Sequence, residues 1–277
     1  MATVLGIVGS PRKDGLTNRL VQRALEGAAS RGAATQLYHL ADMEIKPCDG
    51  CSTATCWADG NCKYQDDARR LQDAIRNCDA LILGAPVYYL DVNSLTKNFM
   101  DRMRFGDATN GKRAMGITIA GGTGKGLILA LKTVYHFFLC TGLRGLSPTP
   151  VTRFNFEAGL RTVYNNAAAL ATPPIEAIPF HNLSERIAWT YDLPFMRHDI
   201  IDENLYLAKI VADSCHKSEK NAEIVARAQA SLVQAAQLVE HGRKQEALDH
   251  IMSAYEAGVE AWKKGREASG NPPQKQG

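Results

Sequence analysis

The sequence predicts an α/β chain: a doubly wound parallel sheet of five strands followed by a helical extension. Over the first 150 residues, short apolar runs rich in β-formers alternate with stretches of helical spacing, the pattern of βαβ units covered on both faces. From about residue 180 the texture changes to Ala-, Glu-, Gln- and Lys-rich sequence with one apolar face per stretch. Composition agrees with a globular core, since 45% of the 277 residues are hydrophobic and 22% charged, with a net charge of +3.

The elements follow in order. Strands are expected at 3–8, 34–39, 80–83, 114–119 and 146–152, and helices between them at 17–30, 66–77, 94–103 and 126–141. In the extension, 203–240 has no internal Pro or Gly, and Ile224, Ala228, Leu232, Ala235 and Val239 share a face. Gly242 breaks that pattern, and Leu248, Ile251, Tyr255, Val259 and Trp262 repeat it. Two helices joined as a hairpin are expected. The domains therefore read as 1–180 for the sheet, 181–268 for the helices and 269–277 as a Pro/Gln/Lys/Gly-rich disordered tail.

Several classes are disfavoured. Aromatics make up only 7%, and no dense basic stripe marks a nucleic-acid binder. No apolar run approaches the ~20 residues of a membrane span. The start, Met1 to Gly9, reads as a first strand instead of a signal peptide, so a soluble cytoplasmic protein is expected. There is no G-x-S-x-G, and the seven histidines form no cluster. His136 is expected on a buried helix; His181 and His198 flank a connection able to reach a neighbouring subunit.

Two segments carry chemistry. The first is the loop after the first strand, Gly9-Ser10-Pro11-Arg12-Lys13-Asp14-Gly15-Leu16-Thr17-Asn18. Free N–H groups at a helix start, hydroxyls from Ser10 and Thr17 and the fork of Arg12 suit a phosphate. An ordinary βα loop with Thr17 as N-cap fits the spacing equally well. The glycines do not form a GxGxxG fingerprint, and Gly122-Thr123-Gly124-Lys125-Gly126 fails as a nucleotide P-loop because Ile119 and Gly126 occupy its required Gly and Ser/Thr positions.

The second segment is the run Cys48, Cys51, Cys56 and Cys62, spaced C-x2-C-x4-C-x5-C. Seven cysteines in a long chain of this kind argue against a disulfide scaffold. Four thiolates on a short loop with Gly50 and Gly60 are able to converge on one centre, and soft ligands select zinc or iron–sulfur chemistry. A loop of packed or redox-sensitive thiols remains open. The other three, Cys78, Cys140 and Cys215, are expected to be packed thiols.

The first loop resembles the phosphate loop of flavodoxin-like NAD(P)H-dependent FMN reductases, with Gly-Ser-Pro-Arg-x-x-Gly-x-Thr in place. Gly84-Ala85-Pro86-Val87-Tyr88-Tyr89, followed by Ser94 to Arg102, is similar to that family's flavin-ring loop and helix, and Gly121-Gly122 to its rim loop. The chain departs from the pattern at Leu16, where Asn is common, and at Leu90-Asp91-Val92-Asn93, where Gly and Ser are common. The resemblance covers roughly residues 1–150. It implies a flavodoxin-like fold, with Ser10, Arg12, Thr17 and Asn18 on the FMN phosphate. Pro86, Val87, Tyr88, Tyr89, Gly121 and Gly122 would lie along the ring.

The cysteine run resembles that of the iron-sulfur flavoproteins, a branch of the same fold with a 4Fe-4S cluster near FMN, although their middle spacing is typically two residues. There the four cysteines would be ligands, and Trp57 would shield the cluster. Three functions are implied. The first is NAD(P)H-dependent reduction of a flavin, quinone or other small acceptor. The second is an electron relay between a ferredoxin-type donor and an acceptor. The third is a non-catalytic flavin-fold assembly module. Related reductases are dimers and tetramers, so a homo-oligomer is expected, with a small acceptor or an electron-transfer protein as partner.

Overall fold

The computed structural model describes residues 1–51, 56, 60–215 and 221–268. The expected tail at 269–277 and Trp57 lie outside them.

Strand β1 (Thr3–Val8), helix α1 (Leu16–Ala29), β2 (Ala34–His39), α2 (Ala68–Asn77) and β3 (Ala80–Tyr88) come first. The two-residue β4 (Asp91–Val92), α3 (Ser94–Arg102), β5 (Arg113–Ala120), α4 (Leu127–Thr141), β6 (Arg144–Thr152) and α5 (Phe156–Leu170) follow. The sheet order is β2-β1-β3-β5-β6, with β4 folded back on β3. β1 pairs in parallel with β2 and β3, and β3 with β5. Val4, Leu5, Ile7 and Val8 of β1 and Leu81, Ile82 and Leu83 of β3 are fully buried, as central strands covered on both faces must be. Pro148 and Pro150 lie in β6, at the end of the sheet order, where a missing N–H is tolerated.

Sequence and structure differ at a few places. Helix α5 was not expected: Gly159, Asn165 and Asn166 weaken its propensity. Gly159 is there because a side chain would come within 2.6 Å of Val151. The expected helical hairpin is three helices, α7 (Ile200–Asp213), α8 (Ala222–Glu240) and α9 (Leu248–Ala268), preceded by α6 (Leu183–Asp192). No Pro or Gly marks the end of α7. Its start is a capping box between Asp199 and Asp202, and Asn221, buried ahead of α8, donates to the Ala261 carbonyl at 3.1 Å. Two further expectations are corrected. Cys140 is exposed, whereas Cys78 is buried and Cys215 half-buried, and desolvation pushes both of those thiols up to about 11. His136 is on the exposed side of α4.

The chain forms two compact units. One comprises residues 1–121, 126–151 and 157–197; the other comprises 122–125, 152–156 and the chain from His198 onward. In the first, Trp189 of α6 donates to the Gly145 carbonyl at 2.9 Å and Arg144 stacks over Phe180 and Trp189. In the second, Ala208, Ala235, Ala247, Ile251 and Ala254 form a small-residue core that lets the helices approach closely. Tyr255 donates to the Thr123 carbonyl at 2.8 Å, and Phe154 packs edge-on against Trp262. No helix among the described residues is long and apolar enough to cross a membrane.

Candidate functional site

The order 2-1-3-5-6 puts the topological switch between β1 and β3, and ligands of open α/β sheets bind outside the carboxyl ends at that point. The loop 9–15 leaves β1 there. Gly15 occupies the N-cap position of α1 and supplies no side-chain acceptor, so the first-turn N–H groups stay available to an anion. Thr17 is therefore not the cap; it is buried in the first turn. Ser10 is buried too, and its Oγ accepts from the Arg12 N–H at 3.1 Å. Arg12 itself is exposed. Asn18 Oδ1 is buried without a partner; an amide oxygen only accepts, so Asn18 would serve an anion through its Nδ2 donors and not through this atom. These groups fit a phosphate.

The loop after β3 is bolted to this one. The Gly9 N–H donates to the Gly84 carbonyl at 2.8 Å, and the Gly9 carbonyl accepts from Asn93 Nδ2 at 2.9 Å and Thr96 Oγ1 at 3.1 Å. Asn93 also caps α3 through the Thr96 N–H. A side chain at position 9 would lie 2.0 Å from Thr96 Oγ1, so only glycine permits this approach. Sequence reasoning missed Asn93 and Thr96, although Asn93 falls where the family pattern breaks.

Pro86 is buried and Val87 half-buried in β3, with Val87 opposite Val92. Tyr88 is 43% exposed and Tyr89 fully so. Tyr89 and Leu90 form the hairpin tip with φ of 49° and 68°, left-handed values that strain residues with a Cβ. Gly126, at φ 82°, supports the tip from beneath: a Cβ there would lie 2.3 Å from Leu90 Cα. The sequence that failed as a P-loop thus has a packing role. Gly121 is half-buried. A Cβ on Gly122 would meet nothing within 4 Å, so a chemical group has room beside it.

The four cysteines line one pocket together with Lys63, Tyr64, Asp101, Arg102 and Arg104. Cys48 and Cys51 are exposed, Cys56 and Cys62 half-buried. Among the described residues no three His, Cys, Asp or Glu side chains converge closely enough to hold a single metal ion. The loop is fixed by α2 and α3. Arg102 forks onto Asp66 at 2.7 and 3.0 Å with both side chains at most 2% exposed, and it stacks 5.2 Å from the Tyr64 ring centroid. Tyr64 donates to Asp49 at 2.7 Å, and Gln72 donates to the Gly60 carbonyl at 3.2 Å.

Burial raises the Asp66 pKa, but the Arg102 fork and the N–H groups of Lys46 and Ala68 outweigh it and hold the carboxyl below its ordinary value. Burial likewise works against the charge on Arg102. Asp66, then Cys62 and Cys48, hold its pKa above the usual guanidinium value. Asp66 and Arg102 also went unassigned in the sequence, because their pairing spans 36 residues.

A parallel sheet of flavodoxin order, with an uncapped phosphate-type loop at its switch point, defines a flavin-binding α/β protein. The crystal structure of RosB with a bound 8-demethyl-8-formylriboflavin-5′-phosphate intermediate has the same fold, with a TM-score of 0.52, 16% identity, and coverage of 72% of this chain and 92% of that one. Residues 2–147, just over half of the chain, match the model for NADPH-dependent FMN reductase, and the chain belongs to that family of flavoprotein oxidoreductases. It is similar to an iron-sulfur flavoprotein of Methanocaldococcus jannaschii, with 34% identity over 139 residues, 49% of this chain and 71% of the relative. An iron-sulfur flavoprotein of Archaeoglobus fulgidus is 37% identical over 124 residues, 44% of this chain and 56% of the relative. The chain thus spans little more than half the length of this second relative.

Proposed function

We propose that this chain is an FMN oxidoreductase of the iron-sulfur flavoprotein kind, relaying electrons between a 4Fe-4S cluster on Cys48, Cys51, Cys56 and Cys62 and the flavin. The observation that carries this reading is that all four cysteines of the run line one pocket, as ligands of one centre would. When bound, FMN supplies two-electron or single-electron chemistry, and the cluster single-electron chemistry.

The protein's part is placement. Ser10, Arg12, Thr17, Asn18 and the α1 N-terminus hold the phosphate; Pro86, Val87, Tyr88 and Tyr89 seat the ring, and Gly121 and Gly122 leave room at its rim. Helix α3 starts at the Gly9 clamp and ends at the thiol pocket. Its nine residues, about 13 Å at 1.5 Å per residue, join the phosphate-type loop and the thiol pocket through one short rigid element. NAD(P)H-dependent reduction of a small acceptor is the second reading, favoured by the family match over residues 2–147. A cytoplasmic homo-oligomer fits either.

Anaerobic purification with iron, sulfide and flavin analysis tests the assignment. The relay reading expects FMN with about four iron atoms per chain and loss of the cluster absorption in Cys51→Ser. FMN without iron, reducible by NAD(P)H, would establish the second reading instead.

A further inference from the structure

Of the charged residues lining the thiol pocket among the described residues, Arg102 alone is buried. Lys63 and Asp49 have side chains half-exposed to water and are paired with each other. Asp101 is taken up by Lys97 in the same way. Arg104 sits at an intermediate depth and spends donors on the carbonyls of Asp101 and Met103. Solvent screens such groups strongly, whereas a buried charge is screened far less. Arg102 lines the pocket, but its partner Asp66 does not. The buried ion pair is thus oriented, with its cation toward the thiols and its carboxylate held away by the N–H groups of Lys46 and Ala68.

Three contacts fix that orientation. The Asp66 fork sets the guanidinium plane; one nitrogen also donates to the Lys46 carbonyl; and Tyr64 stacks on the group. A lysine could supply the charge but not this planar geometry. A purely structural anchor does not require its cation at the pocket wall. A group built on four thiolates carries net negative charge, and a fixed cation facing it favours both its assembly and its more negative, reduced form.

We propose that Arg102 is a positioning residue of the four-thiol pocket: the Asp66 fork holds its buried positive charge at the wall that the four cysteines share, so that the pocket favours an anionic thiolate-bound group. The inference rests on the reading of the four cysteines as one ligand set, and its test separates the two. Full-length protein carrying Cys140→Ser, which removes the exposed thiol on α4, is freed of metal under argon. It is then reacted with a dianionic aromatic disulfide, dithiobis(nitrobenzoate), and with the neutral dipyridyl disulfide. The ratio of the two rates reports the local potential independently of any cluster.

Arg102→Gln is expected to lower that ratio roughly tenfold, Arg102→Lys to keep it within about twofold, and Asp66→Asn not to lower it. Arg102→Gln and Asp66→Asn break the same ion pair, so an anchor without an electrostatic role would move both alike. Equal changes in the two, or an unchanged ratio in an Arg102→Gln protein with native circular dichroism, overturn the proposal. The same proteins are then reconstituted anaerobically with ferrous iron and sulfide. Loaded Arg102→Gln is expected to show a more negative midpoint potential than wild type, with Arg102→Lys between them, and equal potentials overturn the proposal. Wild-type protein that takes up no iron overturns the cluster reading, and the reagent ratio alone then decides on Arg102.

Discussion

Arg12 lies exposed on a loop whose other candidate ligands, Ser10, Thr17 and Asn18, are buried. In the proposed site it would supply the solvent-exposed, charge-assisted part of phosphate binding. Arg12→Ala is expected to weaken FMN binding ten- to hundredfold, since such a bond is worth roughly 1.5–3 kcal/mol; flavin fluorescence titration measures it, and undiminished retention would move the phosphate elsewhere. Asp66 differs, because it is buried with Arg102. A carboxyl whose folded pKa is depressed contributes its full stability above the ordinary value, about 3.9. That stability is lost as the pH falls through the lower folded value. Urea unfolding should therefore show a stability loss below about pH 4 that shrinks in Asp66→Asn. At neutral pH the same variant costs about 3–5 kcal/mol, because Arg102 is left buried without its counter-charge.

Helix α3 shows at the level of elements what sequence reading reaches and what it misses. Its existence was legible from 94–103, because apolar spacing is local. Its purpose was not. Asn93 meets the Gly9 carbonyl across 84 residues and Arg102 meets Asp66 across 36, and nothing local encodes those partners. The strands were legible for the same reason the helix was, since buried parallel strands read as apolar runs. The loop 9–18 stood out as a candidate because its polar groups are consecutive in the sequence. The break between α7 and α8 stayed hidden because its signal, the buried Asn221, depends on a carbonyl 40 residues away. Asn93→Ala should remove the α3 cap and one of two side-chain donors to Gly9, costing roughly 1–3 kcal/mol. Calorimetry should show a lower Tm together with weaker FMN retention; a lower Tm with unchanged FMN binding would confine Asn93 to capping.

At the scale of the whole molecule, the exposed apolar groups bear on association. The helical unit exposes Ile200, Val233 and Leu248, apolar groups that a subunit contact would cover. We expect truncation after Arg197, which spares α6, to lower the subunit number by light scattering, with circular dichroism to verify the sheet. An unchanged number would shift the contact to α6 of the first unit, where Leu183, Ile187 and Tyr191 form an exposed stripe at intervals of four residues.

The helical unit also draws on 122–125 and 152–156, segments at the carboxyl ends of β5 and β6. It is therefore not a cassette that can be appended to any sheet of this type. Thr123 meets Tyr255, and Phe154 meets Trp262, only when both stretches of chain are present. During synthesis its packing must wait until the last two strands and nearly all of α9 have left the ribosome. A gene fusion that transplants only the residues from 198 onward would carry Tyr255 and Trp262 without the groups they pack on. Inheritance of this extension should accordingly track changes in two short loops that lie far from it in the sequence.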